Sequence, residues 1–257
     1  MSKRKENAIG IIPARFQSSR FPGKPLALIS GISLIRRVYE NAKKCVALDE
    51  VVVATDDERI LKHVKGFGGH AVLTSTHCES GTDRLAEACA HHEICQGYPI
   101  VVNVQGDEPC LPLEAIEKVV EMLHRDPEAV CATTIAHLTS EIDAMNSSVV
   151  KVVKDIHDNA LYFSRSLIPG NQSRHFNASV EYFRHMGLYG YRAEFLQTYG
   201  KLPATPLQLA ESLEQLKVLE NGYKMKVALV DRQSIDVNHP EDIQKVEKYI
   251  WEQNSSL

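Results

Sequence analysis

A chain of 257 residues that is 44% hydrophobic and 24% charged has the composition of a globular protein, which excludes the disordered and fibrous classes. Its apolar runs end far short of the ~20 residues that cross a bilayer, which argues against membrane insertion. The net charge of −4 is uneven: residues 1–40 hold eight Lys/Arg against two Glu, so an acidic remainder excludes an extended nucleic-acid face and favours a small anionic ligand.

Lys3-Arg4-Lys5 resembles the start of a signal peptide, but Arg15 interrupts the apolar stretch that follows, and a cytoplasmic location is expected. The six cysteines at 45, 78, 89, 95, 110 and 131 form no C-x-x-C pair and fit free thiols in a reducing compartment. His91-His92-x-x-Cys95 has no second pair at ligand spacing, so zinc is set aside.

In chain order, Ala8 to Ile12 reads as a strand and Ile32 to Lys43 as a helix with Leu34, Ile35, Val38 and Ala42 on one face. Val51 to Ala54 is a strand apolar throughout, as buried parallel strands are. A helix from Asp57 to Lys65 stops at Gly66-Phe-Gly68-Gly69, and His70 to Leu73 follows as a strand. A helix from Asp83 to Cys95, a strand from Ile100 to Val104 and a helix from Pro112 to Leu123 complete a β-α-β-α rhythm. That rhythm predicts an α/β fold with a mainly parallel sheet and helices on both faces.

Beyond residue 130 the rhythm changes. Val149 to Lys154 and Ala160 to Phe163 flank a turn-rich link and predict an antiparallel hairpin; 168–180 reads as a long loop. His185 to Tyr191 is expected as a strand, Leu207 to Glu220 as a helix, Lys226 to Val230 as a last core strand and Glu241 to Trp251 as a closing helix. One domain over 1–257 is expected, with 130–205 forming a smaller antiparallel lobe.

Three constellations carry chemistry. Arg15, Arg20 and Lys24 lie within ten residues on a loop stiffened by Pro13, Pro22, Gly23 and Pro25, just past a strand end. Fixed cations and backbone N–H donors in that place suit a nucleoside triphosphate. Gly23-Lys24 is not a P-loop, because Pro25 replaces the Ser/Thr that would meet Mg²⁺. Gly66-Phe-Gly68-Gly69 follows a helix, so it is no dinucleotide fingerprint.

The second constellation, Asn103-Val-Gln105-Gly106-Asp107-Glu108-Pro109, puts a carboxylate past a strand end, where it either holds Mg²⁺ or caps the next helix. In the third, Asp236 and Asn238 alternate with Ile235 and Val237 and so share a face, either as further metal ligands or as the cap of the helix at Pro240-Glu241-Asp242.

Together with Ser19-Arg20-x-Pro-Gly-Lys24, Val53-Ala-Thr-Asp56, Ser80-Gly-Thr-x-Arg84, Ala160-Leu-Tyr-Phe-Ser-Arg165, Arg184-His185-x-Gly-x-Tyr189 and Leu213-Glu214-Gln215-Leu, these segments resemble the 3-deoxy-manno-octulosonate (Kdo) cytidylyltransferases, from about residue 8 to 250. The resemblance implies a Rossmann-like sheet of the nucleotide-diphospho-sugar transferase type. The implied reaction is Mg²⁺-dependent transfer of CMP from CTP to Kdo, with pyrophosphate released, for lipopolysaccharide inner-core synthesis, and a homodimer is implied. By match, Pro13, Ala14, Arg15, Ser19, Arg20, Lys24 and Gln105 would contact the nucleotide, with Arg20, Lys24 and Asp107 as the catalytic set. Arg84 and Arg165 would meet the sugar carboxylate, and Gln105, His185, Tyr189, Glu214 and Gln215 its hydroxyls. Asp107 with Asp236 or Asn238 would hold the metal.

The family usually has one Asp directly before a Thr-Pro-Glu-Asp-like segment; here Asn238 stands two before Pro240 and the carboxylate is at Asp236. Three rivals remain. One is a cytidylyltransferase for sialic acid or 8-amino-Kdo. A glycosyltransferase would not need the triphosphate loop, and a non-catalytic sensor would not need the intact Asp107.

Overall fold

In the computed structural model of the chain, the described residues are 8–18, 20–78, 80–172, 175–231 and 235–255. Strand β1 (Ala8–Ala14) lies at the centre of the sheet. A short 3-10 turn, Lys24–Leu26, leads into a hairpin of β2 (Leu28–Ile29) and β3 (Ile32–Ser33). Ser30 and Gly31 both take positive φ, 47° and 77°, the turn such a hairpin requires. The hairpin takes up Ile32, so helix α1 (Leu34–Ala42) begins two residues later than its apolar face suggests, capped by Ser33.

Strand β4 (Glu50–Thr55), α2 (Glu58–Gly66), β5 (His70–Leu73), α3 (Gly81–His91), β6 (Ile100–Asn103) and α4 (Leu113–Arg125) follow as the sequence predicts. Glu93–Cys95, expected within α3, is a separate 3-10 turn, and Pro112 sits at the N-cap of α4 rather than inside it. Strand β7 (Cys131–His137) and helix α5 (Glu141–Met145) have no counterpart in the sequence reading. The predicted hairpin is β8 (Lys151–Lys154) with β9 (Ala160–Ser164), and β10 (Phe183–Arg192) follows the long loop.

Helix α6 (Ala193–Tyr199) was not expected, and the single helix predicted over 207–220 is two: α7 (Pro206–Glu211) and α8 (Leu216–Glu220). Ser212 breaks it with a left-handed φ of 52°. The Glu211 carboxylate accepts from the Ser164 hydroxyl at 2.6 Å and the Arg165 backbone N–H at 2.9 Å, which holds the end of α7 against β9. Strand β11 (Met225–Leu229) and α9 (Asp242–Ser255) close the chain.

The sheet order is β11-β7-β10-β6-β1-β4-β5, with β8 and β9 extending from β10. Along that path only β10 runs against its neighbours. The main sheet therefore takes β7 and β10 from the 130–205 segment expected as a smaller lobe. What this segment keeps to itself is a small core of Leu138, Ala144 and Tyr182.

Apolar runs in β1, β4 and β6 are explained by burial on both faces. Ile9, Ile11, Val52, Ala54 and Val101 face one core, and Ile12, Val51, Val53, Ile100 and Val102 the other. From β1 the chain builds outward through β4 and β5 on one side and then places β6 on the other. Such a reversal of strand order opens a crevice at the carboxyl ends of the two central strands.

Candidate active site

A cavity of about 350 Å³ occupies that crevice, lined by Pro13, Ala14 and Arg15 from the end of β1 and by Gln105, Gly106 and Asp107 from the end of β6. The two strand ends touch so closely that a Cβ on Gly106 would lie 2.8 Å from the Pro13 carbonyl oxygen. Glycine is the residue that this approach admits. The cation-bearing loop closes on itself: Gly23, at φ 72°, donates its N–H to the Phe16 carbonyl at 2.9 Å. Behind it the Arg59 guanidinium lies 3.4 Å from the centroid of the Phe16 ring. Arg15 and Arg20 are exposed at the cavity rim and Lys24 is half-buried within it. Ser19 lies outside the described residues.

Lys24 donates to Asp107 Oδ2 at 2.7 Å and to the Val237 carbonyl at 2.9 Å. Val237 in turn donates its N–H to the Asp107 carbonyl at 2.9 Å, which fixes the 235–238 segment against the end of β6. Val237 is buried and its neighbours Asp236 and Asn238 are not, so the two polar side chains alternate with it as expected. Crowding by the surrounding protein raises the Asp236 pKa, and the Asp107 charge raises it further. The two carboxylates are therefore neighbours that repel, and the Arg184 and Lys24 charges offset part of that repulsion.

Hard oxygen donors in a pair, beside a cavity for phosphates, fit Mg²⁺, which takes one or two carboxylates and completes its shell with phosphate oxygens and water. Asn238 stands at the helix start: its backbone N–H and that of His239 donate to Asp242 Oδ2 at 3.0 and 2.8 Å. Asp242 thus caps the helix start through the backbone of Asn238, as the capping alternative for this segment expects, and leaves the Asn238 side chain out of the cap.

Arg84 lines the same cavity but is almost wholly buried. Its guanidinium donates to Asp56 Oδ2 at 2.9 Å, to Thr74 Oγ1 at 2.5 Å and to the Ser75 carbonyl at 3.3 Å. Arg84 thus ties α3 to the loops that follow β4 and β5. Arg165 lines neither this cavity nor the next. Its side chain donates to the carbonyls of Glu211, Ser147 and Ser212 at 2.7, 3.1 and 3.3 Å. Both cations expected at a sugar carboxylate are committed to the protein, where each anchors a loop.

A second cavity, of about 380 Å³, shares Gly81, Gln105 and Glu214 with the first, so the two adjoin. His185, Tyr189 and Gln215 line it, as do Asn103, Tyr191 and Tyr199, which the sequence reading did not single out. The β10–β7 register slips between His185 and Tyr189, where Gly187 has a φ of 76°. The bulge turns the Gly187 carbonyl toward Gln105 Nε2, which donates to it at 3.4 Å. His185 and Tyr189 keep to one side, with ring centroids 5.3 Å apart, and Tyr189 stacks on Tyr191 at 5.8 Å.

His185 Nε2 is 2.9 Å from Thr133 Oγ1, and burial lowers the imidazole pKa to about 4, so the ring is neutral at physiological pH. Desolvation, followed by the Asp83 charge, raises the Glu214 pKa, and the Tyr199 hydroxyl donates to its carboxyl at 3.5 Å. Glu214 and Gln215 reach the cavity because Ser212 breaks the helix just before them. Tyr191 was legible as the residue two beyond Tyr189 on the same strand face; Tyr199 was not, because α6 carries no clear sequence signal.

Sequence and fold comparisons agree with this geometry. The cytidylyltransferase family pattern matches residues 9–229. A 3-deoxy-manno-octulosonate cytidylyltransferase of Protochlamydia amoebophila is 53% identical over 97% of this chain and 96% of its own length. One of Zea mays is 47% identical over 97% of this chain and 83% of its own. The solved structure of a CMP:2-keto-3-deoxy-manno-octonic acid synthetase complexed with CTP superposes with a TM-score of 0.88 at 39% identity, covering 96% of this chain and 99% of that one. The chain belongs to the cytidylyltransferase family, among its 3-deoxy-manno-octulosonate members.

Proposed function

We propose that this chain transfers the CMP group of CTP to the C2 hydroxyl of Kdo and releases pyrophosphate, in the cytoplasm, for lipopolysaccharide synthesis. The observation that carries the reading is the pair of adjoining cavities. One is lined by Arg15, Arg20, Lys24 and Asp107, and the other by aromatic rings, amides and a carboxyl group. The first suits a metal-bound triphosphate and the second a polyol.

The Pro13–Arg15 backbone and Ser19 hold the nucleotide, while Arg15, Arg20 and Lys24 neutralise its phosphates and fix the α-phosphorus for in-line attack. Asp107 and Asp236 would hold Mg²⁺, which would supply charge neutralisation on the phosphates. Gln105, His185, Tyr189, Glu214 and Gln215 position the sugar so that its C2 hydroxyl faces the first cavity. Arg84 lends positive potential from the cavity wall, and Arg165 acts through the α7 end that it secures. The chain works as a homodimer, with the 130–205 segment at the contact.

Pyrophosphate release, measured with CTP, Mg²⁺ and a panel of acid sugars, tests this reading. Turnover is expected with Kdo and not with sialic acid. Turnover with 8-amino-Kdo alone would transfer the assignment to that sugar, and release with no sugar would remove it.

A further inference from the structure

Asn103 and Gln215 line the second cavity, and each carries a fully buried side-chain atom, Asn103 Oδ1 and Gln215 Nε2, with no hydrogen-bond partner among the described residues. Both residues are strongly buried, with 3% of Asn103 and 6% of Gln215 exposed. A protein interior seldom leaves such atoms unpaired, because each forfeits its hydrogen bonds to water and gains none in return. An unpaired acceptor and an unpaired donor in one cavity mark a surface prepared for a ligand that carries both functions.

The backbone explains how Asn103 comes to be there. Asn103 ends β6 and lies opposite Tyr189 on the antiparallel β10. Residues opposite each other in such a pair present their side chains to the same face, so Asn103 stands beside Tyr189 in the cavity wall. Gln105, two positions on, lines the same cavity. On its other side β6 pairs with β1, and Asn103 lies level with Ile11 in the sheet interior. An asparagine between Val102 and Val104, both fully buried on the opposite face, is out of place for packing alone.

We propose that Asn103 is a sugar-reading residue, whose side-chain amide turns toward the cavity so that Oδ1 accepts a hydrogen bond from one hydroxyl of the acceptor substrate and so sets the enzyme's selectivity among related acid sugars. The inference rests on the proposed transfer to an acid sugar and adds a residue to it. Hydroxyls are the groups that fit, because Oδ1 accepts and a sugar carboxylate has no proton to give it. Gln215 Nε2 donates to an oxygen of the same ligand. A site built to bind a hydroxyl discriminates strongly against an analogue that lacks it, since the amide is then left buried and unpaired.

The test is steady-state kinetics of Asn103→Ala, with Asn103→Leu as a variant of similar volume should the smaller side chain fail to fold. Both are assayed with CTP, Kdo and Kdo analogues lacking single hydroxyls. The KM for Kdo is expected to rise about tenfold or more while the KM for CTP stays within about twofold. One deoxy analogue should be used equally well by wild type and variant. The thermal midpoint of the ligand-free variant should be unchanged or higher, because an orphaned polar atom has been removed.

An unchanged KM for Kdo, equal losses with every analogue, or a lowered midpoint with both KM values intact would overturn the assignment and leave Asn103 a structural amide. If the wild type itself releases no pyrophosphate with Kdo, the transfer reading fails. Calorimetric binding of the acid-sugar panel to wild type and Asn103→Ala then decides the residue's role, and equal binding of every sugar refutes it.

Discussion

Asp107→Asn is expected to lower kcat about a thousandfold, on the order of 4 kcal/mol of transition-state stabilisation, while the thermal midpoint barely moves. The two readouts separate because Asp107 does different things in the two states. In the nucleotide-free protein its carboxylate pairs with Lys24 at 2.7 Å, but the two side chains are 29% and 16% exposed. A partly solvated pair of that kind contributes about 1 kcal/mol or less. In the proposed reaction the same carboxylate would hold the metal against the phosphates, and asparagine removes the charge while keeping the shape. Steady-state assays at saturating Mg²⁺, with a thermal melt alongside, check both halves. Near-normal turnover would remove Asp107 from the metal site.

Arg84→Met is expected to have the opposite signature, with stability as the first loss. The guanidinium is 4% exposed and paired to Asp56. Removing it leaves a carboxylate partly buried with no counter-charge, and Thr74 and Ser75 lose their donor. Breaking a buried pair from one side costs about 3–5 kcal/mol, or a fall of roughly 10 °C in the midpoint for a protein of this size. Replacing Asp56 as well, in Arg84→Met/Asp56→Leu, should recover part of that loss, since the unpaired charge goes too. If the single variant melts as the wild type does, the pair is not what holds α3 to the neighbouring loops.

Lys24 links these expectations to the mechanism. Its ammonium lies between Asp107 and the Val237 carbonyl, where a cation is needed with or without nucleotide. In the proposed reaction the triphosphate would supply competing acceptors for Lys24 and leave Asp107 open to the metal. The triphosphate loop and the carboxylates thus form one electrostatic unit, drawn from positions 24, 107 and 236.

The sequence made the parallel half of the fold legible because β1, β4 and β6 are apolar on both faces and their helices end at recognisable caps and glycines. It concealed β7, since the apolar run of Cys131-Ala-Thr-Thr-Ile-Ala-His is interrupted by two threonines that turn out to be buried, and it holds no Phe, Tyr or Trp. The break at Ser212 was equally hidden. It depends on Glu211 bonding to Ser164 and Arg165, a contact between segments some 46 residues apart that no local pattern reports.

The site divides in the same way. The loop with Arg15, Arg20 and Lys24 announces itself through charge and proline spacing. Asp56 and Thr74, which bind Arg84, become visible only once the loops meet. Asn103 could be read as part of a motif, but not as an unpaired acceptor.

In the proposed reaction the metal and the triphosphate meet between the early cationic loop and two distant carboxylates. A crystal structure with CTP and Mn²⁺, located by anomalous scattering, measures this directly. The metal peak is predicted between the carboxylates of Asp107 and Asp236, in contact with phosphate oxygens, with Lys24 and Arg20 turned onto the triphosphate. A peak away from both aspartates, or phosphates bound elsewhere than over Lys24, would contradict it.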